Sequence, residues 1–296
     1  MGSRFICFFV LLAMLATIGC GKRGGETIVV GSKNFTEQIV LGELFAQQIE
    51  AHSALRVERR LNLGGTFICH DALVSGKIDL YPEYTGTAFT AVLKDSLAPN
   101  QTASQTFLAV QDEYRKRFNV EEMPPLGFNN TFAMVVRGED ADKLHLRTIS
   151  DVAPYAPKWR AGFGYEFMER PDGYRGWMAA YGLHFSGEPH ILDLGLLYRA
   201  LADKQVDLVA GNSTDGVIAS LHMVALEDDR NYFPPYEAVP LVRLATLEKH
   251  PEVRGAIAAL AGKISVDEMR AMNYAVDGEH RDPADVVRAF RTSKGL

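Results

Sequence analysis

The chain has 296 residues, 47% hydrophobic and 23% charged, which is enough to bury one large core or two smaller ones without staples. A formal net charge of -6 and a pI near 5.8, with no basic block, argue against nucleic acid as a partner. Cys7 and Cys20 fall in the N-terminal segment. The remaining Cys69 can form no internal disulfide and, with no CxxC spacing, no zinc site.

Arg4 supplies a small basic region, and residues 5–16 form an apolar stretch too short to span a bilayer. Residues 1–19 therefore read as a signal peptide. The small residues that end at Cys20 resemble a bacterial lipobox, with Thr17 standing where leucine is usual. That resemblance implies an acylated Cys20 and a lipid anchor to the membrane. Residues 20–26 would be the tether, since the Gly, Lys and Arg at 21–25 bury nothing. The plainer alternative is an ordinary signal peptide in which Cys20 is incidental.

From Thr27 the pattern alternates. Residues 27–31 (TIVVG) read as a short buried strand, and a helix over Thr36–His52 follows with Val40, Leu44 and Phe45 at helical spacing. Val57, Leu61 and Leu63 alternate as a strand, Gly64-Gly65-Thr66 opens a helix through Ser75, and residues 78–81 make another strand. After a loop-rich stretch at 123–127, residues 132–136, 159–163 and 206–210 read as strands. Residues 172–181 and 194–202 read as helices. Later helices carry start signals: Pro251, a Ser265/Glu268 capping box, and Asp282 before Pro283. This rhythm predicts an α/β fold with mostly parallel sheets, and the clusters at 124–130 and 231–235 predict crossings between two lobes.

Enzyme chemistry has little support. Cys69 and His70 are adjacent, so on a helix their side chains diverge by about 100° and cannot pair as nucleophile and base. They read as a core cysteine beside a surface or capping histidine. No GxSxG, HExxH, P-loop or GxGxxG motif is present, and Asp215 and Glu83 are the plausible acid–base candidates.

Eight blocks carry more information: GSKNFTEQ (31–38), NLGGT (62–66), DLYPEYTGT (79–87), GFNNT (127–131), ERPDGY (169–174), STDG (213–216), FPPY (233–236) and LAGKIS (260–265). In this order they resemble the OpuC/OsmF-type substrate-binding proteins of ABC importers for glycine betaine, carnitine and choline. The resemblance runs from about Thr27 to the C-terminus. It implies a type II periplasmic-binding-protein fold, two α/β lobes joined by a two-crossover hinge, with lobe 1 at 27–130 and 235–296 and lobe 2 at 131–234. It also implies a non-enzymatic receptor that needs no cofactor or metal and works with ABC permease and ATPase subunits.

Carried over by motif, Lys33, Thr87 and Arg170 match positions that hold a ligand carboxylate. A lysine point charge, a hydroxyl and a forked guanidinium suit that task. The dipole of the helix starting near Thr36 would add to it. Tyr84, Phe132 and Tyr236 match an aromatic cage for a trimethylammonium group, which has no N–H to donate. Asn212 stands where the family has a fourth aromatic. One face is then missing or supplied elsewhere, with Tyr165 and Tyr174 as conceivable substitutes. A bulkier betaine, ergothioneine included, and a sensor component on the same fold are the alternatives.

Overall fold

The structure, a computed structural model, describes residues 26–96 and 101–296. The expected signal peptide, residues 1–19, and Cys20 lie outside the described residues. Ten strands build two five-stranded sheets: β1 (Thr27–Lys33), β2 (Arg56–Gly64), β3 (Leu80–Tyr84), β4 (Val120–Glu122), β5 (Phe132–Arg137), β6 (Ala161–Phe163), β7 (His190–Ile191), β8 (Leu208–Asn212), β9 (Met223–Leu226) and β10 (Ala238–Arg243). Their orders are β2-β1-β3-β10-β4 and β7-β6-β8-β5-β9.

The two orders are one pattern used twice. β1 runs parallel to β2 and β3, and β6 runs parallel to β7 and β8. The strand that arrives by a crossover is inserted antiparallel: β10, after β9 of the other sheet, lies between β3 and β4, and β5, after β4, lies between β8 and β9. The sheets are thus mixed: four strands of each run the same way, as the alternating rhythm suggested, and one strand is reversed. The physical reason is the route of the chain. Parallel strands are linked by covering helices that return the chain to the far end of the sheet, whereas each crossover delivers its strand directly from the other sheet. The two connections lie side by side, with Asn130 N–H donating to Tyr236 O at 3.0 Å and Asn129 bridging Glu237.

Several strands begin later than their hydrophobic runs suggest: Leu80 in place of 78, Ala161 in place of 159, and Leu208 in place of 206. Two of them also run on through polar residues, β3 to Tyr84 and β8 to Asn212. Register explains the extension, because Tyr84 and Glu83 pair with Ala238 and Val239, and Asn212 pairs with Phe132. The helix expected at 172–181 begins at Tyr174, after the Pro171–Gly173 turn.

Helix starts follow their local chemistry. Ser265 and Glu268 form the capping box, the Asp282 side chain accepts from Ala284 N–H at 2.7 Å, and Pro251 and Pro283 open their helices. The first sheet packs on the helix Thr36–His52, whose Val40, Leu44 and Phe45 are fully buried. The second core is aromatic, with Trp177 against Phe163 and Phe167.

Cys69 lies in the core, and burial pushes its thiol up to about 12, so it is no thiolate nucleophile at neutral pH. His70 corrects the expectation of a surface or capping residue. It is buried edge-on against Tyr114 and Phe118, at 5.6 and 4.6 Å between ring centres, and burial lowers its pKa.

Candidate ligand site

The strand directions bring the site together. Parallel strands β1, β3 and β8 end, and antiparallel β5 and β10 begin, at the same place between the sheets. Binding outside the carboxyl ends of strands is the rule for open α/β sheets. Lys33 ends β1, Tyr84 ends β3, Asn212 ends β8, Phe132 begins β5, and Tyr236 precedes β10 by two residues. Thr87 follows β3 in a helical turn, and Arg170 follows the helix Tyr165–Glu169. All seven residues singled out from the sequence line one cavity of about 50 Å³. At about 10–15 Å³ per water position, that is room for a few waters or one small solute.

The cations in this cavity are held by the protein's own carboxylates. Lys33 Nζ pairs with Glu83 Oε1, both buried. Arg170 forks onto Asp172, Nε to Oδ1 at 2.8 Å and Nη2 to Oδ2 at 2.5 Å. Its Nη1 donates to Thr87 Oγ1 at 2.9 Å and reaches Glu166 Oε1 at 3.3 Å. Burial pushes the carboxyls of Asp172 and Glu166 up. For Asp172 the Arg170 charge and the donors Arg170, Tyr236 and Thr90 outweigh it; for Glu166, the Lys33 and Arg170 charges and Thr66 do. Both acids are held below the usual carboxylate range. The same cations lie over the aromatic faces: Lys33 Nζ is 5.2 Å from the Tyr84 ring centre, and the Arg170 guanidinium carbon is 5.0 Å from Phe132 and 5.6 Å from Tyr236. The expected clamp and the expected cage are therefore interleaved.

Glu37, in the GSKNFTEQ block, anchors the other side. One oxygen accepts from Tyr84 Oη at 2.6 Å and Asn130 Nδ2 at 2.9 Å; the other accepts from Thr214 Oγ1 at 2.5 Å and Asn273 Nδ2 at 3.2 Å. Burial outweighs these neutral donors and raises its pKa. One carboxyl group thus orients a cage ring and ties the turn after β8 to the first sheet's helices. The helix beginning at Thr36 has Phe35 as its uncapped N-terminal neighbour. Gly86 is required by packing, because a Cβ there would meet Pro235 O at 2.6 Å and the Tyr236 ring at 2.7 Å.

Tyr165 and Tyr174 do not supply the missing face. Tyr165 is exposed, and Tyr174 packs on Phe163 at 5.2 Å in the second core. Phe35 does line the cavity, its ring parallel to Tyr84 at 6.4 Å between centres. Sequence reasoning missed it along with Glu166, Phe167 and Asn130. Phe35 and Asn130 stand inside the quoted blocks, two positions after Lys33 and two before Phe132.

Over residues 26–293 the chain matches the family model of the substrate-binding domain of ABC-type glycine betaine transport systems, OpuAC. The chain belongs to that family. This OpuAC-family domain is similar to the carnitine transport binding protein OpuCC of Listeria monocytogenes, with 33% identity covering 98% of this chain and 96% of the relative. It is also 33% identical, over 98% of its length, to the ergothioneine transport permease/ergothioneine binding protein EgtU of Helicobacter pylori, of which it spans 51%. A crystal structure of a glycine betaine/carnitine/choline ABC transporter matches with a TM-score of 0.73 and 33% identity, covering 90% of this chain and 98% of that one. Among the described residues no helix is long and apolar enough to cross a membrane.

Proposed function

We propose that this OpuAC-family protein captures a small quaternary-ammonium solute of the glycine betaine, carnitine or choline class between its lobes and passes it to an ABC permease and ATPase without covalent chemistry. The observation that carries the reading is the shared cavity, where Lys33, Thr87 and Arg170 meet the rings of Tyr84, Phe132 and Tyr236, beside Asn212. In this reading residues 27–130 with 235–296 close against 131–234. The ligand carboxylate lies by Arg170, Thr87 and Lys33, taking the share of Arg170 Nη1 that Glu166 holds at 3.3 Å. The trimethylammonium group takes aromatic faces, each contributing about 0.5–2 kcal/mol when desolvated. Cys20 holds the protein, through an acyl anchor, on the outer side of the membrane. In that case Cys20→Ser releases it from membranes while ligand binding persists.

A second reading is favoured by Asn212, an amide where the family carries an aromatic ring, and by the ergothioneine-binding relative: the ligand is a bulkier betaine such as ergothioneine. Native mass spectrometry of the chain against glycine betaine, carnitine, choline, ergothioneine and unmethylated glycine tests both. A one-to-one complex with a trimethylammonium compound and none with glycine supports the proposal. Equal binding of glycine, or turnover of any ligand over hours, refutes it.

A further inference from the structure

The NLGGT block (62–66) contributes no residue to the inner cavity, yet it holds one of that cavity's acids. It opens the helix Thr66–Val74, whose N-terminal neighbour Gly65 has no side chain to cap it. The cap comes from the other sheet. Glu166, on the short helix after β6, accepts from Thr66 Oγ1 with one oxygen and from Thr66 N–H at 3.4 Å with the other. A carboxylate placed there also meets the positive end of the helix dipole. The glycines make the approach possible: Gly64 has φ +153°, and a Cβ on Gly65 would lie 3.1 Å from Glu166 Oε2.

Glu166 has a second donor within reach. The oxygen that takes the Thr66 hydroxyl lies 3.3 Å from Arg170 Nη1, a long contact beside the short Thr66 bond. The choice between them matters because Arg170 has little left to give. Its Nε and Nη2 are committed to Asp172, and Nη1 has one N–H remaining after its bond to Thr87. Glu166 is half-buried on a wall shared by the inner cavity and a second space of about 210 Å³ that Gly65 and Thr66 line. It therefore has room to turn from one donor to the other.

We infer that Thr66 determines specificity for carboxylate-bearing ligands: it draws Glu166 off Arg170 and so keeps the last Nη1 N–H for the ligand carboxylate. Thr66 does not line the inner cavity, so it is a positioning residue that acts through Glu166. This rests on the ligand class proposed above and assigns, within it, a residue that separates glycine betaine from choline, which has no carboxylate.

Calorimetry of wild type and variants with glycine betaine and choline tests it. Thr66→Val leaves Arg170 as the strong donor for Glu166, which then competes with the ligand carboxylate. Glycine betaine should weaken about 10-fold, the worth of one hydrogen bond to a charged group, and choline by less than about 2-fold. Thr66→Ser, which keeps the hydroxyl, should bind both ligands as wild type does. Gly65→Ala crowds Glu166 while leaving Thr66 in place, and should lose glycine betaine selectively even if the valine variant does not fold. On a Glu166→Gln background, Thr66→Val should have no selective effect, because the competing charge is gone. Equal weakening of the two ligands by Thr66→Val would make the bond a tie between the sheets only, and would overturn the inference. A selective loss that persists with Glu166→Gln would overturn it too. Failure of the wild type to bind either ligand overturns the ligand class, and the inference with it.

Discussion

Asp172 and Glu166, beside Arg170, form one pair of acids at the cleft, and Glu37 and Asp215, across from them, form another. Each pair has one buried and one half-buried member, so exposure does not distinguish them. Their titration does. The first pair is held low because the Arg170 charge, joined by Lys33 at Glu166, overcomes burial. The second pair is raised, Asp215 to about 6, because burial is opposed by no cation: the neutral donors Tyr198 and Asn212 for Asp215, where the Glu37 charge adds to burial, and Thr214, Tyr84, Asn130 and Asn273 for Glu37. Partner charge, rather than depth, decides which carboxyls stay ionised. The Arg170 side thus stores fixed charge suited to recognising a zwitterion, and the Glu37 side fixes geometry.

The largest expected effect breaks the charged side. Arg170→Ala leaves Asp172 buried without its cation and should cost about 3–5 kcal/mol in denaturant unfolding. Adding Asp172→Asn should restore part of it, and no recovery in the double variant would show that the pair is not coupled.

The neutral side is sharpened by pH. A raised acid binds its proton more tightly in the folded state, so folding loses stability as pH rises from the unfolded value of 3.8 to about 6. Asp215→Asn should therefore gain on wild type across that window, by up to about 2–3 kcal/mol. Parallel stability curves would contradict the assignment.

Selectivity gives a smaller signal. Glu166→Gln removes a negative charge 3.3 Å from Arg170. It should shift preference from choline toward glycine betaine by about 3- to 10-fold in competition binding, and a shift toward choline would reverse the account. Smallest is Asn212→Tyr, which closes the cage. With Phe35 already beside Tyr84, simple trimethylammonium ligands should gain only about 2- to 5-fold by calorimetry.

Much of this was legible in the sequence because the site residues sit at strand ends inside compact blocks. Lys33, Tyr84, Phe132, Asn212 and Tyr236 are separated by up to about 200 positions in the chain yet fall together once the strand ends are superposed. Helix Ala103–Phe118 was passed over in the sequence, although its Thr102/Gln105 capping box is a signal that could have found it. The antiparallel insertion of β5 and β10 was not legible, since a strand's direction leaves no mark on its own hydrophobic pattern. Nor were the acids that hold the cations. Glu83 and Asp172 are each in a quoted block, but Asp172 two positions from Arg170 reads the same whether the two form a buried pair or face water separately, and Glu83 meets Lys33 across 50 positions of chain. Pairing is set by the fold.

The central claim is that Arg170 recognises the carboxylate of a quaternary-ammonium solute. Arg170→Lys keeps the charge that Asp172 needs and loses the planar fork, so calorimetric titration of this variant and wild type with glycine betaine and choline tests it most directly. The account predicts a loss of about 10-fold or more for glycine betaine and less than about 3-fold for choline, which has no carboxylate. Equal losses for the two ligands would contradict it.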